Sequence, residues 1–243
     1  MNPKALVVAS VLSLGCSMAW ADPGYYLVEV YEDRGSAHID FRYWTVKAKG
    51  GSEVVWPEIG IGYGVTKRWY TELFMSFEGE AFSSSNLNTL NWQNDFLLTQ
   101  GQFDFDLALH TNLIHGQETS DDDALEIGPV FQTDIGRVQL NANLIFEKSL
   151  APGNTDATQL KYQWQAKYRW KNGVHAGVQG FGEVGPWNQW LATDRQSHRW
   201  GPVVSSTWEF QGHQRIEAQA AYLIGKVYGS AADMLSVRLQ YVF

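Results

Sequence analysis

The sequence predicts an all-β chain that closes into a transmembrane, antiparallel, up-and-down barrel of about 12 strands. Three observations predict it. Apolar and polar residues alternate in runs of about ten residues. The breaks between runs are short and long in turn. Aromatic residues collect at run ends beside the short breaks. Period two places successive side chains on opposite faces, so each run has one apolar and one polar face.

The apolar faces follow in chain order. The first run carries Ile39, Phe41 and Tyr43, and the second Ile59, Ile61, Tyr63 and Val65. The third has Trp69, Leu73, Met75 and Phe77; the fourth Leu90, Trp92, Phe96 and Leu98. The fifth has Phe103, Phe105, Leu107, Leu109 and Leu113, and the sixth Leu125, Ile127 and Phe131. The seventh has Val138, Leu140, Ala142, Leu144 and Phe146. The eighth, "TQLKYQWQAKYRW", has Leu160, Tyr162, Trp164, Ala166, Tyr168 and Trp170. The ninth has Val174, Ala176 and Val178, the tenth Trp200, Val204, Trp208 and Phe210. The eleventh has Ile216, Ala218, Ala220, Tyr222 and Ile224. The last, "LSVRLQYVF", has Leu235, Val237, Leu239, Tyr241 and Phe243.

Short breaks fall at Thr66–Arg68, Gln100–Gln102, Ile135–Arg137, Lys171–Gly173 and Gln211–Gln214. Longer polar breaks fall at Ala48–Glu53, Gly79–Thr89, Gly116–Asp123, Ser149–Ala157, Gly185–Ser197 and Gly225–Asp233. Short hairpin turns on one side and longer loops on the other suit a barrel with periplasmic turns and extracellular loops, both termini lying on the turn side. A secreted β-sandwich also alternates. The strict alternation of loop lengths, the aromatics Tyr63, Trp69, Phe103, Trp170, Trp208, Phe210 and Phe243 near the short turns, and the long runs favour the barrel. Typical strands hold only about 5–6 residues. The last run is expected to pair with the first, leaving no open edge in the membrane.

The start reads as a secretory signal over residues 1–21, leaving residues 22–243 as the barrel. Lys4 supplies the positive charge, Ala5 to Leu14 the apolar stretch, and Ala19-Trp20-Ala21 an A-x-A cleavage pattern. That stretch is well short of the roughly 20 apolar residues of a membrane-spanning helix. Gly15-Cys16 hints at lipoprotein processing, but Ser13 occupies a position where such signals carry an aliphatic residue. Cys16 is the one cysteine, so cleavage after Ala21 removes disulfides, thiolate nucleophiles and cysteine metal ligands from consideration. Lys4 is the one charged residue of the segment, so its loss moves the formal net charge from −8 to −9. An acidic exported chain is a poor nucleic-acid binder.

The signal, the alternating strands and the terminal Phe243 resemble Gram-negative outer-membrane β-barrel proteins. Within that class the chain is similar to small monomeric porin-like proteins, such as oligosaccharide-specific twelve-strand channels. "PEIGIGYGVTKRWYTELFMSFE" is similar to stretches of the phenol-degradation-pathway outer-membrane proteins. The resemblance implies residence in the cell outer membrane, contact with its lipid and lipopolysaccharide, and insertion by the barrel assembly machinery. That machinery would read the aromatic end of the last strand, Tyr241 and Phe243.

If the apolar faces meet lipid, the alternates face the lumen, and they divide by charge. Runs two to seven place Glu58, Glu72, Glu78, Asp95, Asp104, Asp106, Glu126, Asp134 and Glu147 inside. The remaining runs place Arg42, Lys161, Lys167, Arg169, Arg199, Arg215 and Arg238 inside, with Asp40, Glu183 and Glu217 as exceptions. An acidic wall is thus expected opposite a basic one. Facing charged walls would select polar solutes in a wet pore; walls close enough to pair would plug it. Between barrels of about eight strands, filled by side chains, and of about 16–18, which hold an aqueous channel, twelve leaves both open. Gln139, Asn141, Asn143, Gln159, Gln163 and Gln165 add neutral hydrogen-bonding groups.

Catalytic signals are poor. A lipid hydrolase needs a serine, a histidine and an orienting group together. The histidines are His38, His110, His115, His175, His198 and His213, and Ser197-His198 are strand neighbours that would point apart. His110 and Glu126 face inward on adjacent runs without convincing metal spacing, so no metal or other cofactor is expected. Asp121-Asp122-Asp123 lacks the glycine and terminal glutamate of a calcium loop and reads as a solvated acidic loop. Trp187, Trp190 and Trp200 gather in or beside one long break, as a sugar- or partner-stacking surface or a mouth constriction. The expectation is a monomeric, non-enzymatic channel for passive diffusion of small polar solutes. The alternative is a closed, non-conducting barrel with a structural or surface-binding role.

Overall fold

The computed structural model describes residues 26–30, 34–99, 101–117, 123–170, 173–210 and 214–243. The segment expected to be a signal, Asp121, Asp122, His213 and parts of three short turns lie outside the described residues. Among the described residues twelve strands follow in order: β1 (Ala37–Ala48), β2 (Glu53–Thr66), β3 (Trp69–Glu78), β4 (Asn86–Leu97), β5 (Phe105–Gly116) and β6 (Ala124–Ile135). Then come β7 (Val138–Ser149), β8 (Gln159–Arg169), β9 (Val174–Pro186), β10 (Ser197–Glu209), β11 (Arg215–Val227) and β12 (Ser230–Val242). Each pairs antiparallel with its sequence neighbours, and β12 pairs β1, so the sheet is a closed barrel. Arg42 stands opposite Arg238 in that closing seam and opposite Glu58 on the other side. At about 3.3 Å per residue, a twelve-residue strand tilted by about 45° rises roughly 28 Å, close to the hydrocarbon thickness of a bilayer.

The exterior is apolar, as the alternation predicts. Ile61 and Leu73 are 67% and 63% exposed, and Trp92, Leu144, Val204, Tyr222 and Leu239 also face outward. Phe103, Trp170, Trp208, Phe210 and Phe243 are exposed at the short-turn end. There the amide of Phe243 donates to the Ala37 carbonyl at 3.0 Å, fastening the terminal seam. The rings of Tyr241 and Phe243 lie 5.4 Å apart.

Two connections differ from the sequence reading. Gly225–Asp233 is almost entirely strand, and β11 and β12 join through Tyr228 and Gly229 alone. Both have positive φ, 44° and 82°, the backbone of a tight I′-type hairpin whose twist matches its strands. Conversely, β4 ends at Leu97 and β5 begins only at Phe105, so Asp104 precedes β5 and is exposed at the barrel mouth instead of lining the wall.

The inner face is also less uniformly polar than alternation suggests. Trp44, Val46, Trp56, Phe181, Val203, Leu223 and Met234 form a buried cluster toward the long-loop end. Trp44 and Trp56 stack with centroids 3.9 Å apart. A barrel this narrow fills part of its lumen with side chains, and apolar ones serve where no ligand needs contact. Below this cluster lies a segment that belongs to no strand: Tyr26, Leu27 and Val28 are buried inside the barrel. Tyr26 and Val28 pack with Ala108, Val130 and Ile145.

Candidate functional site: the charged lumen

The acidic strands β2–β7 and the basic strands β8–β12 with β1 meet along two seams, and there their charges pair. At the first seam Arg42 is the centre. Its Nη2 donates to both carboxylate oxygens of Glu72 at 2.7 Å. Its Nε donates to Asp40 Oδ2 at 3.0 Å, and Nη1 lies 3.6 Å from Glu58. Arg238 donates to Asp40 from Nη2 at 2.7 Å. The Tyr70 hydroxyl donates to Glu72 at 3.0 Å. The Arg42 guanidinium carbon sits 3.9 Å from the centroid of the Tyr26 ring and 4.7 Å from that of Phe74, a stacking that a planar delocalised cation favours. The glycines of "PEIGIGYG" make room. A Cβ on Gly62 would stand 2.1 Å from the Tyr70 hydroxyl, and one on Gly60 would stand 2.5 Å from Glu72.

At the second seam Lys161 of β8 bonds Glu126 at 2.9 Å and also pairs with Glu147. Asn112 donates to the other Glu126 oxygen at 3.1 Å. Both seams are buried, so these pairs act in a low effective dielectric, where an uncompensated charge is strongly unfavourable.

Within the walls the pairing continues. The three acids that broke the wall pattern are the partners of its bases. Asp40 holds Arg42 and Arg238, Glu183 takes Arg199 at 2.5 Å, and Glu217 takes Arg215 at 2.5 Å. Inside the acidic wall, His110 Nδ1 lies 2.7 Å from Asp95, to which Gln93 also donates at 2.6 Å. The charge pattern places Glu72, Asp95, Asp104 and Asp106 facing Lys161, Lys167, Arg199 and Arg238 across the lumen; in the structure Glu72 instead pairs with Arg42, Asp95 with His110, and Lys161 with Glu126 and Glu147. The charges lie close enough along the wall to find partners between nearby strands.

The sequence-predicted residues fall into two groups. Glu58, Glu72, Asp95, Glu126, Arg42, Lys161, Lys167, Arg199 and Arg238 are buried in the lumen. Asp104, Asp106, Arg169 and Arg215 lie at the short-turn mouth, Arg169 paired with Asp134 at 2.9 Å and about two-fifths exposed. Glu78 ends β3 at the opposite side, where Asn88 donates to it at 2.8 Å. The mouth opens into a space of about 680 Å³ beside Asp104, Asp106, Asp134 and Lys67. A cavity of about 240 Å³ follows among Lys167, His175, Arg238 and Gln240. Farther in, between Tyr26, Glu58, His110 and Glu126, the free space falls to about 20 Å³, room for about one water.

The sequence reading missed the lumen segment. The Val28 amide donates to Gln163 Oε1 at 3.0 Å, and Asn143 Nδ2 donates to the Val28 carbonyl at 2.8 Å. Gln163 Nε2 donates to the Tyr26 carbonyl at 3.3 Å, and Lys167 pairs with Glu29 at 3.1 Å. "YYLVEV" is apolar and aromatic except for Glu29 and lacks the period-two alternation of the wall strands, a signal that, with its position ahead of the first run, sets it apart.

The remaining candidates separate. Ser197 is fully buried and its hydroxyl accepts from the Tyr228 amide. His198 instead contacts the Tyr162 hydroxyl at 2.8 Å and Gln196 at 2.7 Å. His115 meets Asp123 at an exposed site. Trp187 and Trp190 are exposed in the long-loop region. Among the described residues no cluster suited to a metal ion occurs.

Several solved structures share this architecture. A KdgM porin superposes with a TM-score of 0.56 at 8% identity, covering 85% of this chain and 99% of its own. A NanC porin gives 0.58 at 9% identity, with 84% and 98% covered. The COG4313 outer membrane channel from Pseudomonas putida F1 gives 0.58 at 14% identity, with 91% and 99% covered. No protein-family model and no curated protein matches the chain. At these identities the likeness is one of fold: this chain has the architecture of small, twelve-stranded outer-membrane porins.

Proposed function

We propose that the chain is a monomeric outer-membrane channel for passive diffusion of small polar solutes, exported by cleavage of residues 1–21. One observation carries this reading: a closed barrel with an apolar exterior holds an interior lined by guanidinium, ammonium, carboxylate and amide groups. Such a lining replaces the hydration of a polar solute, whereas a purely structural core would favour apolar packing. Glu58, Glu72, Asp95, Glu126, Arg42, Lys161, Lys167, Arg199 and Arg238 line the path, with Glu78, Asp104, Asp106, Arg169 and Arg215 at its mouths. No catalytic role or cofactor is part of the reading. Planar-bilayer recording tests it. The expected result is ion conductance from the purified barrel or from one lacking Tyr26–Val30; silence from both, with the barrel folded, overturns it.

A second reading, a closed barrel with a structural or surface-binding role, is supported by the Trp44–Trp56 cluster and the filled lumen. In either case the outer face would contact lipid and lipopolysaccharide, and the barrel assembly machinery would recognise Tyr241 and Phe243. Deleting Phe243 should lower the yield of inserted barrel far more than the conductance of molecules that insert. A normal yield would remove that role.

A further inference from the structure

We infer that Tyr26–Val30 is a displaceable plug. It is an intramolecular ligand seated in a lumen cradle that takes a backbone amide, an aromatic ring and a carboxylate. The inference rests on the channel reading above. Gln163 and Asn143 hold the backbone at Tyr26 and Val28, Arg42 lies against the Tyr26 ring, and Lys167 takes the Glu29 carboxylate. Gln163 and Asn143 themselves bond at 2.9 Å, which orients both amides toward the segment.

Two features distinguish this segment from the wall. Its described hydrogen bonds go to side chains, while each strand is held by backbone ladders on both sides. A strand cannot leave without opening the barrel; this segment can, without breaking a ladder bond. It also lies between two spaces. Tyr26 and Val28 line the constriction of about 20 Å³, and Glu29 and Val30 line the cavity of about 240 Å³ on the short-turn side. Withdrawing the segment toward that cavity would join the two. It would also leave the amides of Gln163 and Asn143, the Arg42 face and the Lys167 ammonium as a vacated site. Buried polar groups need partners. The chemistry that would satisfy these is that of a short acidic peptide carrying an aromatic side chain, or of a solute presenting the same three groups.

Bilayer recording on the wild-type chain, on a chain lacking Tyr26–Val30, and on Val28→Asp tests this. Val28→Asp puts a carboxylate among Ala108, Val130 and Ile145 and leaves the barrel strands untouched. Folding of each is checked by the gel-mobility shift that intact barrels show before heating. The expected result is a several-fold rise in mean conductance for both variants. A peptide with the sequence of residues 26–29, added to the deletion variant, should block that current, and the same peptide with glutamine for glutamate should block more weakly. Unchanged conductance in both folded variants overturns the plug while leaving a conducting wild type as a channel. Silence in all three overturns the plug and the channel together. Equal block by the two peptides removes the carboxylate from the cradle.

Discussion

The two charged seams solve one problem with different cations. At the first, the Arg42 fork reaches Asp40, Glu58 and Glu72 at once and presents its face to Tyr26. At the second, Lys161 is a point charge between Glu126 and Glu147, and Asn112 supplies a supporting donor. A planar guanidinium with five donors can serve three carboxylates and a ring together; an ammonium with three donors cannot offer a flat face. The first seam therefore depends on the identity of its cation, and the second mainly on its charge. The difference follows from location. The first seam also joins the first and last strands through Arg238 and Asp40 and abuts the lumen segment, while the second joins four consecutive strands, β5 to β8.

Substitutions can break this comparison, beginning with the most damaging. Arg42→Met removes the cation shared by three buried carboxylates, of which Asp40 keeps Arg238 and Glu72 keeps the Tyr70 hydroxyl; the expected loss is about 3–5 kcal/mol, read from urea unfolding of the folded barrel in detergent. A loss under about 1 kcal/mol, the scale of an exposed pair, would show that water already screens the seam. Lys161→Met strands two, one of which keeps Asn112; the expected loss is about 3 kcal/mol. An equal or larger loss than for Arg42→Met would reverse the ranking of the seams. Arg42→Lys keeps the charge but loses the fork and the ring contact, with an expected loss of about 1–3 kcal/mol. Full retention of stability would mean that geometry is irrelevant there. The smallest effect is expected from Glu58→Gln, whose 3.6 Å approach to Arg42 is outside hydrogen-bond distance. Its change should stay within about 1 kcal/mol, and a large one would reassign Glu58 as a principal partner.

Much of the fold was legible because strand periodicity is a local property. Leu235, Val237 and Leu239 alternate with Ser236, Arg238 and Gln240, and they do so whatever the rest of the chain contains. The pairing of β12 with β1 followed from the requirement that no strand edge meet lipid. The inward placement of Glu72, Glu126, Lys161 and Arg238 followed from the same period. Trp44, Val46, Leu223 and Met234 were not legible as lumen residues, because alternation says which side chains share a face and not what that face may contain. Asp104 was misplaced because nothing in "TQGQFDFD" marks where β5 begins.

The exceptions to the charge pattern were the more informative residues. Asp40, Glu183 and Glu217 looked like noise against a basic wall, yet each is a partner to an arginine. Their meaning depends on the register between neighbouring strands and on how far each side chain reaches.

By itself the sequence determined the strands, their approximate number, the lipid-facing side and the sign of charge on each wall. All of these derive from steric alternation and composition within short stretches. Only the tertiary structure decided which charges neutralise one another and what occupies the lumen. Those answers depend on groups distant in sequence, such as Val28 and Gln163, 135 residues apart. Barrel closure brings such groups together, and their burial away from water obliges them to pair.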